Sequence, residues 1–328
     1  MLPWFQDQFP LYLAPMAGIT DTIFRQLCKE QGADVMVTEF VSAEGIFRRN
    51  ERTLEYLEFI EAERPLGVQL FGGDPEHLGE AARMVGEWKQ PDFIDLNFGC
   101  PVNKVVSKNG GSSLLRDCPL LERVARAVVK GAAPLPVTAK IRIGWCEQTI
   151  NATTTARILE DCGVQAIAVH GRTKEQGYSG RANWDVIAEV AAATSLPVIG
   201  NGDIASAADA VGAMKCGVRG LMIGRAAMST PWIFREIKHY VSTGEILAPP
   251  PLETQWAFII RHCRWKVEVE GSELHAMQSM RTRLMAYSRG MPEAKQLRFR
   301  FAHVASLAEM EDIAAENMAR AAAEAVAA

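Results

Sequence analysis

Eight short apolar runs, rich in Val, Ile, Leu and Phe, recur along the first ~230 residues, each closed by Gly or a polar residue. They begin at Leu11 (LYLAPM), Val35 (VMVTEFV), Pro65 (PLGVQLF), Phe93 (FIDLNFG), Pro136 (PVTAKIRI), Ala166 (AIAVHG), Pro197 (PVIGNG) and Gly220 (GLMIGR). Their starts lie 23 to 43 residues apart, room for a helix and two short loops each time. Helical periodicity fills those gaps at Thr22–Gln31, Glu76–Gln90, Asp117–Lys130, Ala152–Cys162, Trp184–Thr194 and Ser206–Cys216. Strands alternating with helices predict parallel pairing through crossovers, and continuous apolar strands predict a sheet covered on both faces. Eight such units predict an α/β fold, a (β/α)8 TIM barrel. An open doubly wound sheet is the alternative; it is weakened because no GxGxxG follows the first strand.

The pattern stops near Tyr240. The connector LAPPPLE, Leu247–Glu253, is stiffened by three consecutive prolines. Beyond it, Thr254–Glu270, Leu274–Ser288 and Lys295–Ala327 read as helices without strands, so a C-terminal all-α helical domain is expected. The boundary falls between a barrel at 1–245 and a helical domain at 246–328. The chain of 328 residues is 48% apolar with a net charge of −4, which excludes disorder for most of it. No run of 18 apolar residues exists, which argues against a helical membrane span. Residues Met1–Pro10 carry no Lys or Arg, which argues against a signal peptide. Seven cysteines, an odd number with no CxxC pair, fit free thiols in a reducing compartment rather than disulfides or a metal site, and predict a cytoplasmic protein. Nothing calls for an obligate protein partner. The net charge hides an uneven tail. Pro249–His303 carries nine Lys or Arg against five Glu, while Val304–Ala328 carries five acids against Arg320. Trp256, Trp265, Tyr287, Phe299 and Phe301 lie among those bases. That mixture suits a nucleic-acid backbone with nearby bases; a solvated helix face over an aromatic core is the plainer reading.

In a barrel, chemistry sits at the C-terminal strand ends. Those ends carry Pro15 and Met16, Glu39, Gln69, Asn97 and Cys100, Lys140 and Arg142, His170 and Arg172, Asn201-Gly202-Asp203, and Gly224-Arg225. Any one of them can be a satisfied structural residue, but the whole set aimed at one mouth points to a ligand. Gly200, Gly202 and Gly224, after strands seven and eight, allow backbone N–H groups to approach a phosphate, and Arg225 adds a charged fork. Lys140 interrupts an apolar strand and needs a partner; it either forms a Schiff base or stays cationic against a ring. The amides of Gln69 and Asn97 suit the edge of a planar heterocycle. Cys100 stands in a Gly/Pro loop, with Lys104 and Lys108 nearby, and is the candidate acid, base or nucleophile. The other six cysteines read as small buried hydrophobes or helix flanks.

Together, APMAGITD (Ala14–Asp21), TEF (Thr38–Phe40), VQLFG (Val68–Gly72), DLNFGCP (Asp95–Pro101), KIRIGW (Lys140–Trp145), VHGRT (Val169–Thr173), GNGDI (Gly200–Ile204) and MIGRAA (Met222–Ala227) resemble the tRNA-dihydrouridine synthases. The pieces occur in that family's order, and STPWIFREI (Ser229–Ile237) looks most like its bacterial B-type branch. The resemblance implies FMN across the barrel mouth, reduced by NADPH. Pro15 and Met16 would back the ring. Gln69, Lys140 and His170 would contact the ring or ribityl chain. Asn201, Gly202, Asp203, Gly224 and Arg225 would hold the ribityl and phosphate. It implies hydride transfer from flavin N5 to uracil C6, with Cys100 supplying the proton to C5. Asn97, Arg142, Arg172, Lys104 and Lys108 would bind the substrate, with the tail gripping the tRNA. The rivals are a flavin oxidoreductase for a free pyrimidine, similar to dihydroorotate dehydrogenase, a Schiff-base lyase using Lys140, and a non-catalytic RNA-binding module.

Overall fold

The computed structural model describes residues 2–6, 8–106 and 109–327, with the side chains of 103, 104, 326 and 327 outside that description. Parallel strands β1 (Leu11–Leu13), β2 (Met36–Val37), β3 (Val41–Ser42), β4 (Leu66–Phe71), β5 (Phe93–Phe98), β6 (Val137–Arg142), β7 (Ala166–His170), β8 (Val198–Asn201) and β9 (Gly220–Ile223) form one sheet. Its order is β1-β9-β8-β7-β6-β5-β4-β2, with β3 also on β4, so β2 and β3 are two halves of one barrel stave. A parallel bridge between Tyr12 and Val35 joins β1 to the β2 side and brings the ring to closure. The (β/α)8 barrel read from the sequence is therefore the fold, with the second strand interrupted at residues 38–40.

Two apolar layers hold it. The outer layer packs the strands against the crossover helices through Leu66, Val68, Ile94, Leu96, Ile141, Ile167 and Leu221. The inner one is smaller: Tyr12, Val35, Val37, Phe93, Ala166, Ala168, Ile199 and Met222 fill the barrel floor. The turn Pro3–Phe5 plugs this floor from below. Trp4 lies 5.3 Å from the Phe93 ring, and its indole N–H donates to the Tyr12 hydroxyl at 2.6 Å. A filled floor leaves only the C-terminal mouth for a ligand.

After β9 come two helices that the sequence pattern did not single out, Arg225–Ser229 and Ile233–Thr243. The tail then forms helices Leu252–Glu270 and Glu273–Tyr287, as expected, but its third expected helix is two, Ala294–Phe301 and Leu307–Ala327. The break has a local cause. Ser306 Oγ accepts the Glu309 N–H at 3.2 Å, and the Glu309 carboxylate accepts the Ala305 N–H at 2.9 Å, which starts a new helix. The tail packs tightly on the barrel. His262 is fully buried, stacked on Phe24 at 6.0 Å, and shares a 2.9 Å hydrogen bond with the Tyr287 hydroxyl. Arg283 donates to the Ile19 carbonyl and to Asp21, both at 2.8 Å. Among the described residues, no helix is long and apolar enough to cross a membrane, and no group of three metal-ligating side chains occurs. All seven cysteines are free thiols.

Candidate active site

A cavity of about 800 Å³ opens at the C-terminal mouth, within the roughly 300–1,000 Å³ of ligand sites. Its wall contains Pro15, Met16, Gln69, Asn97, Cys100, Lys140, Arg142, His170, Asn201, Gly202, Asp203, Gly224 and Arg225. Register explains the convergence. Gln69 pairs with Asp95, Asn97 with Lys140, Arg142 with His170, and His170 with Asn201, so side chains from adjacent staves point inward together.

Cys100 is 7% exposed, and its loop is fixed by Asn97. The Asn97 side-chain oxygen accepts the N–H of Gly99 at 3.1 Å and of Cys100 at 2.8 Å. Asn97 in turn donates to the Gln69 side-chain oxygen at 2.7 Å. Burial pushes the Cys100 thiol above its usual range; the Val102 N–H and the charges of Arg142 and Lys140 only partly oppose this. The result is a protonated thiol at neutral pH.

Lys140 is pushed down to about 8 by burial and by the charge of Arg142, against the pull of Asp95. His170 is driven far below its ordinary value by burial and by Lys140, Arg142, Arg172 and Arg225. It is therefore a neutral imidazole, one donor and one acceptor, rather than an acid. Asp203 holds the far side. Burial alone would raise its carboxyl, but the Ala182 N–H, Arg172 and Arg225 overcome that and lower it. Both guanidinium groups donate to it at 2.7 Å. Arg225 remains half-exposed at the rim, 5.0 Å from the ring of Tyr178. Among the described residues, the backbone N–H groups of Arg225 and Ala226 have no acceptor.

The dihydrouridine synthase family matches residues 12–326. A probable tRNA-dihydrouridine synthase of Rickettsia bellii is 40% identical over 88% of each chain. The tRNA-dihydrouridine synthase B of Pseudomonas aeruginosa is 41% identical over 89% of this chain and 87% of its own. That of Xanthomonas campestris is 46% identical over 73% of this chain and 72% of its own. The chain belongs to the dihydrouridine synthase family. Membership sets aside the lyase and passive-module alternatives, and two of these relatives carry the B-type name.

In this dihydrouridine synthase the structure brings thirteen of the singled-out residues to one wall. Arg172 is not among them. It lies behind the wall at 1% exposure, bonded to Asp203 and to the carbonyls of Ser179 and Gly180. Lys108 and the side chain of Lys104 lie outside the described residues. Arg142 is on the wall but heavily engaged: it donates to the carbonyls of Gly99, Thr173 and Gly177 at 2.7–2.9 Å, tying the Cys100 loop to the loop after β7. Four residues escaped the sequence reading. Asp95 and Thr138 lie below Gln69: the Asp95 carboxylate accepts from the Gln69 amide and from the Thr138 hydroxyl. Tyr178, 60% exposed, overhangs the cavity; it lies five residues beyond the VHGRT stretch, which was the nearest signal to it. Arg289 reaches the rim from the tail, where no strand-end rule would find it.

The wall fits an FMN-like group by its own chemistry. One side is apolar, with Ala14, Pro15, Met16 and Ile223; the other presents amides, a lysine and a neutral histidine. The unbonded N–H groups at Arg225, with its guanidinium, suit a phosphate.

Proposed function

We propose that this enzyme reduces a uridine of tRNA to 5,6-dihydrouridine, with FMN as resident cofactor and NADPH as its reductant. Family membership supports the uridine and the tRNA. The observation that carries the mechanism is the buried thiol of Cys100, held by Asn97 on the same wall as Lys140 and His170.

FMN, when bound and reduced, supplies hydride to C6 of the uracil. Pro15 and Met16 back its ring, and Gln69, Lys140 and His170 meet the ring edge or ribityl chain. Asn201, Gly202, Asp203, Gly224 and Arg225 hold the ribityl and phosphate. Hydride addition leaves negative charge on C5 and the C4 oxygen of the substrate. Cys100 donates the proton at C5, and burial keeps that proton available at neutral pH. Arg142 and Asn97 fix the loop that carries the thiol and bound the uracil beside it, and Lys104 and Lys108, four and eight residues further along the sequence, add positive charge for the substrate. Arg172 acts at one remove, by orienting Asp203. Residues 1–245 do the chemistry, and 246–328 grip the tRNA, whose uridine leaves its stack at a cost on the order of a few kcal/mol.

The test separates the two half-reactions. The purified protein is expected to be yellow, to bleach with NADPH under anaerobic conditions, and to recolour on adding tRNA that lacks dihydrouridine. Cys100→Ala should bleach normally yet recolour about 10²–10⁴-fold more slowly. A colourless protein that cannot take up FMN would overturn the reading. Normal recolouring of Cys100→Ala would remove Cys100 as the acid.

A further inference from the structure

A single line of hydrogen bonds runs from the barrel interior to the Cys100 loop. It begins at Asp95, whose carboxylate accepts the Thr138 hydroxyl at 2.5 Å and the Gln69 amide N–H at 2.6 Å. Gln69 accepts from Asn97, and Asn97 accepts from the N–H groups of Gly99 and Cys100. All three side chains are buried: Asp95 is 4% exposed, Gln69 0% and Asn97 6%. An amide can flip, because its two ends are nearly the same shape. Here neither can. Burial pushes the Asp95 carboxyl up, against the Gln69 N–H, the Thr138 hydroxyl and the Lys140 charge; each of its oxygens faces a donor and accepts, and the loop end only donates. Flipping either amide would set donor against donor or acceptor against acceptor in a buried site, where water cannot relieve the mismatch.

We propose that Asp95 is a positioning residue for the proton donor: through Gln69 it fixes the direction of both amides, so that Asn97 turns its oxygen to the loop and pins Cys100. The inference rests on the reading of Cys100 given above. It also assigns a polarity to the cavity. With both side-chain oxygens engaged, the remaining hydrogens on Gln69 and Asn97 are what these amides offer a ligand. This part of the wall therefore recognises carbonyl oxygens or imine nitrogens rather than N–H groups. Register is the cause of the geometry. Asp95 and Asn97 share the inward face of β5, two residues apart, and Asp95 lies in register with Gln69 on one side and Thr138 on the other.

Three variants test this. Asp95→Ala removes the acceptor; Asp95→Cys, similar in size and only a weak acceptor, replaces it should the alanine variant fail to fold. Asp95→Asn restores a full acceptor without the charge. Two quantities are read on each protein: the rate at which tRNA reoxidises the NADPH-reduced enzyme, and the rate at which iodoacetamide alkylates Cys100, located by peptide mass spectrometry. Asp95→Ala or Asp95→Cys should slow reoxidation by roughly ten- to a hundredfold, the scale of a reacting group displaced by about 1 Å. The same variants should speed Cys100 alkylation at least about threefold, and NADPH should still reduce them. Asp95→Asn should return both rates to within about threefold of wild type. Wild-type rates for both in Asp95→Cys would overturn the proposal. So would an Asp95→Asn as impaired as Asp95→Ala, since the charge and not the acceptor would then matter. If the wild-type enzyme makes no dihydrouridine, the functional reading fails, while the alkylation rates still decide whether Asp95 pins the loop.

Discussion

Lys140 is a cation in a wall that gives it no ion pair among the described residues, only the more distant charge of Asp95. Its titration carries a sign that can be measured. In the folded protein it holds its proton below about 8 and loses it above, while in the unfolded chain it keeps the proton up to its ordinary 10.5. Between those values the unfolded state binds more protons, so the apo-protein gains stability as pH rises through that window. A ligand acceptor seated on the ammonium reverses the preference, because it needs the proton. FMN affinity should therefore fall as pH rises through about 8, and fluorescence titration of the apo-protein would follow it. Lys140→Met should bind FMN more weakly and with a flat profile. Equal wild-type affinity at about pH 7 and about pH 9 would take Lys140 out of the cofactor site. Lys140 was legible in the sequence because a lysine stands out in an apolar strand. Asp95 was not: in FIDLNFG it reads as one more polar alternation, and its role depends on register with Gln69 and Thr138, which no single strand reveals.

At the scale of elements, three glycines that looked equivalent in the sequence separate by cause. Gly202 has φ +137°, which side chains rarely adopt, and a Cβ there would lie 2.5 Å from that of Ala182. A Cβ on Gly224 would approach Ala14 and the Met16 sulfur at 3.4 and 3.5 Å, on the cavity wall. Gly200 does not line the mouth. Its missing side chain makes room for the Trp184 ring, which a Cβ would meet at 2.5 Å, and Trp184 closes the contact by donating to the Gly202 carbonyl at 3.1 Å. Gly200 thus seats the helix Trp184–Ala193 on β8. Gly200→Ala should cost about 1–3 kcal/mol of overpacking while leaving the flavin-to-protein ratio of the folded enzyme unchanged. Urea unfolding with flavin absorbance checks both; an unshifted midpoint would mean that the indole moves aside freely. The staves and most crossover helices were legible because apolar runs and helical periods are local signals. The division of the last expected helix was not, because it turns on the Ser306 and Glu309 caps, and the two helices after β9 were not, because neither starts on a side-chain cap that would mark it.

For the whole molecule, the decisive point is that the tail both adheres to the barrel and keeps a face free. Adhesion centres on Asp21. One of its oxygens caps the helix Thr22–Glu30 by accepting the Phe24 N–H at 3.0 Å, and the other accepts Arg283 and Lys266. The buried apolar cluster runs without a break from the barrel through Trp256, Ile259, Cys263, Met277 and Met280. Excising 246–328 would expose that core, so whether the tail grips RNA, as proposed, is better tested by point variants than by truncation. The excess positive charge of its Pro249–His303 portion is mostly committed already. Arg261, Arg264, Lys266, Arg283 and Arg300 are in ion pairs, and Arg281 donates to the carbonyls of His303 and Val304. Arg289, Lys295 and Arg298 have no carboxylate partner among the described residues. Lys295, Arg298 and Phe299 stand three and four residues apart on one exposed side of the helix Ala294–Phe301, with Phe299 72% exposed. Two free cations beside an exposed ring suit a phosphate and an unstacked base. The double variant Lys295→Ala/Arg298→Ala should weaken tRNA binding and lower the slope of log affinity against log salt by about 1–2, since each lost phosphate contact removes about 0.7–0.9. Phe299→Ala should weaken binding with the slope unchanged, because stacking releases no counterions. NADPH should reduce the flavin of both variants as in wild type, for these side chains line no part of the cavity. A wild-type salt slope in the double variant would move the RNA contact off this helix and leave Arg289, the tail's cation at the cavity rim, as the place to look next.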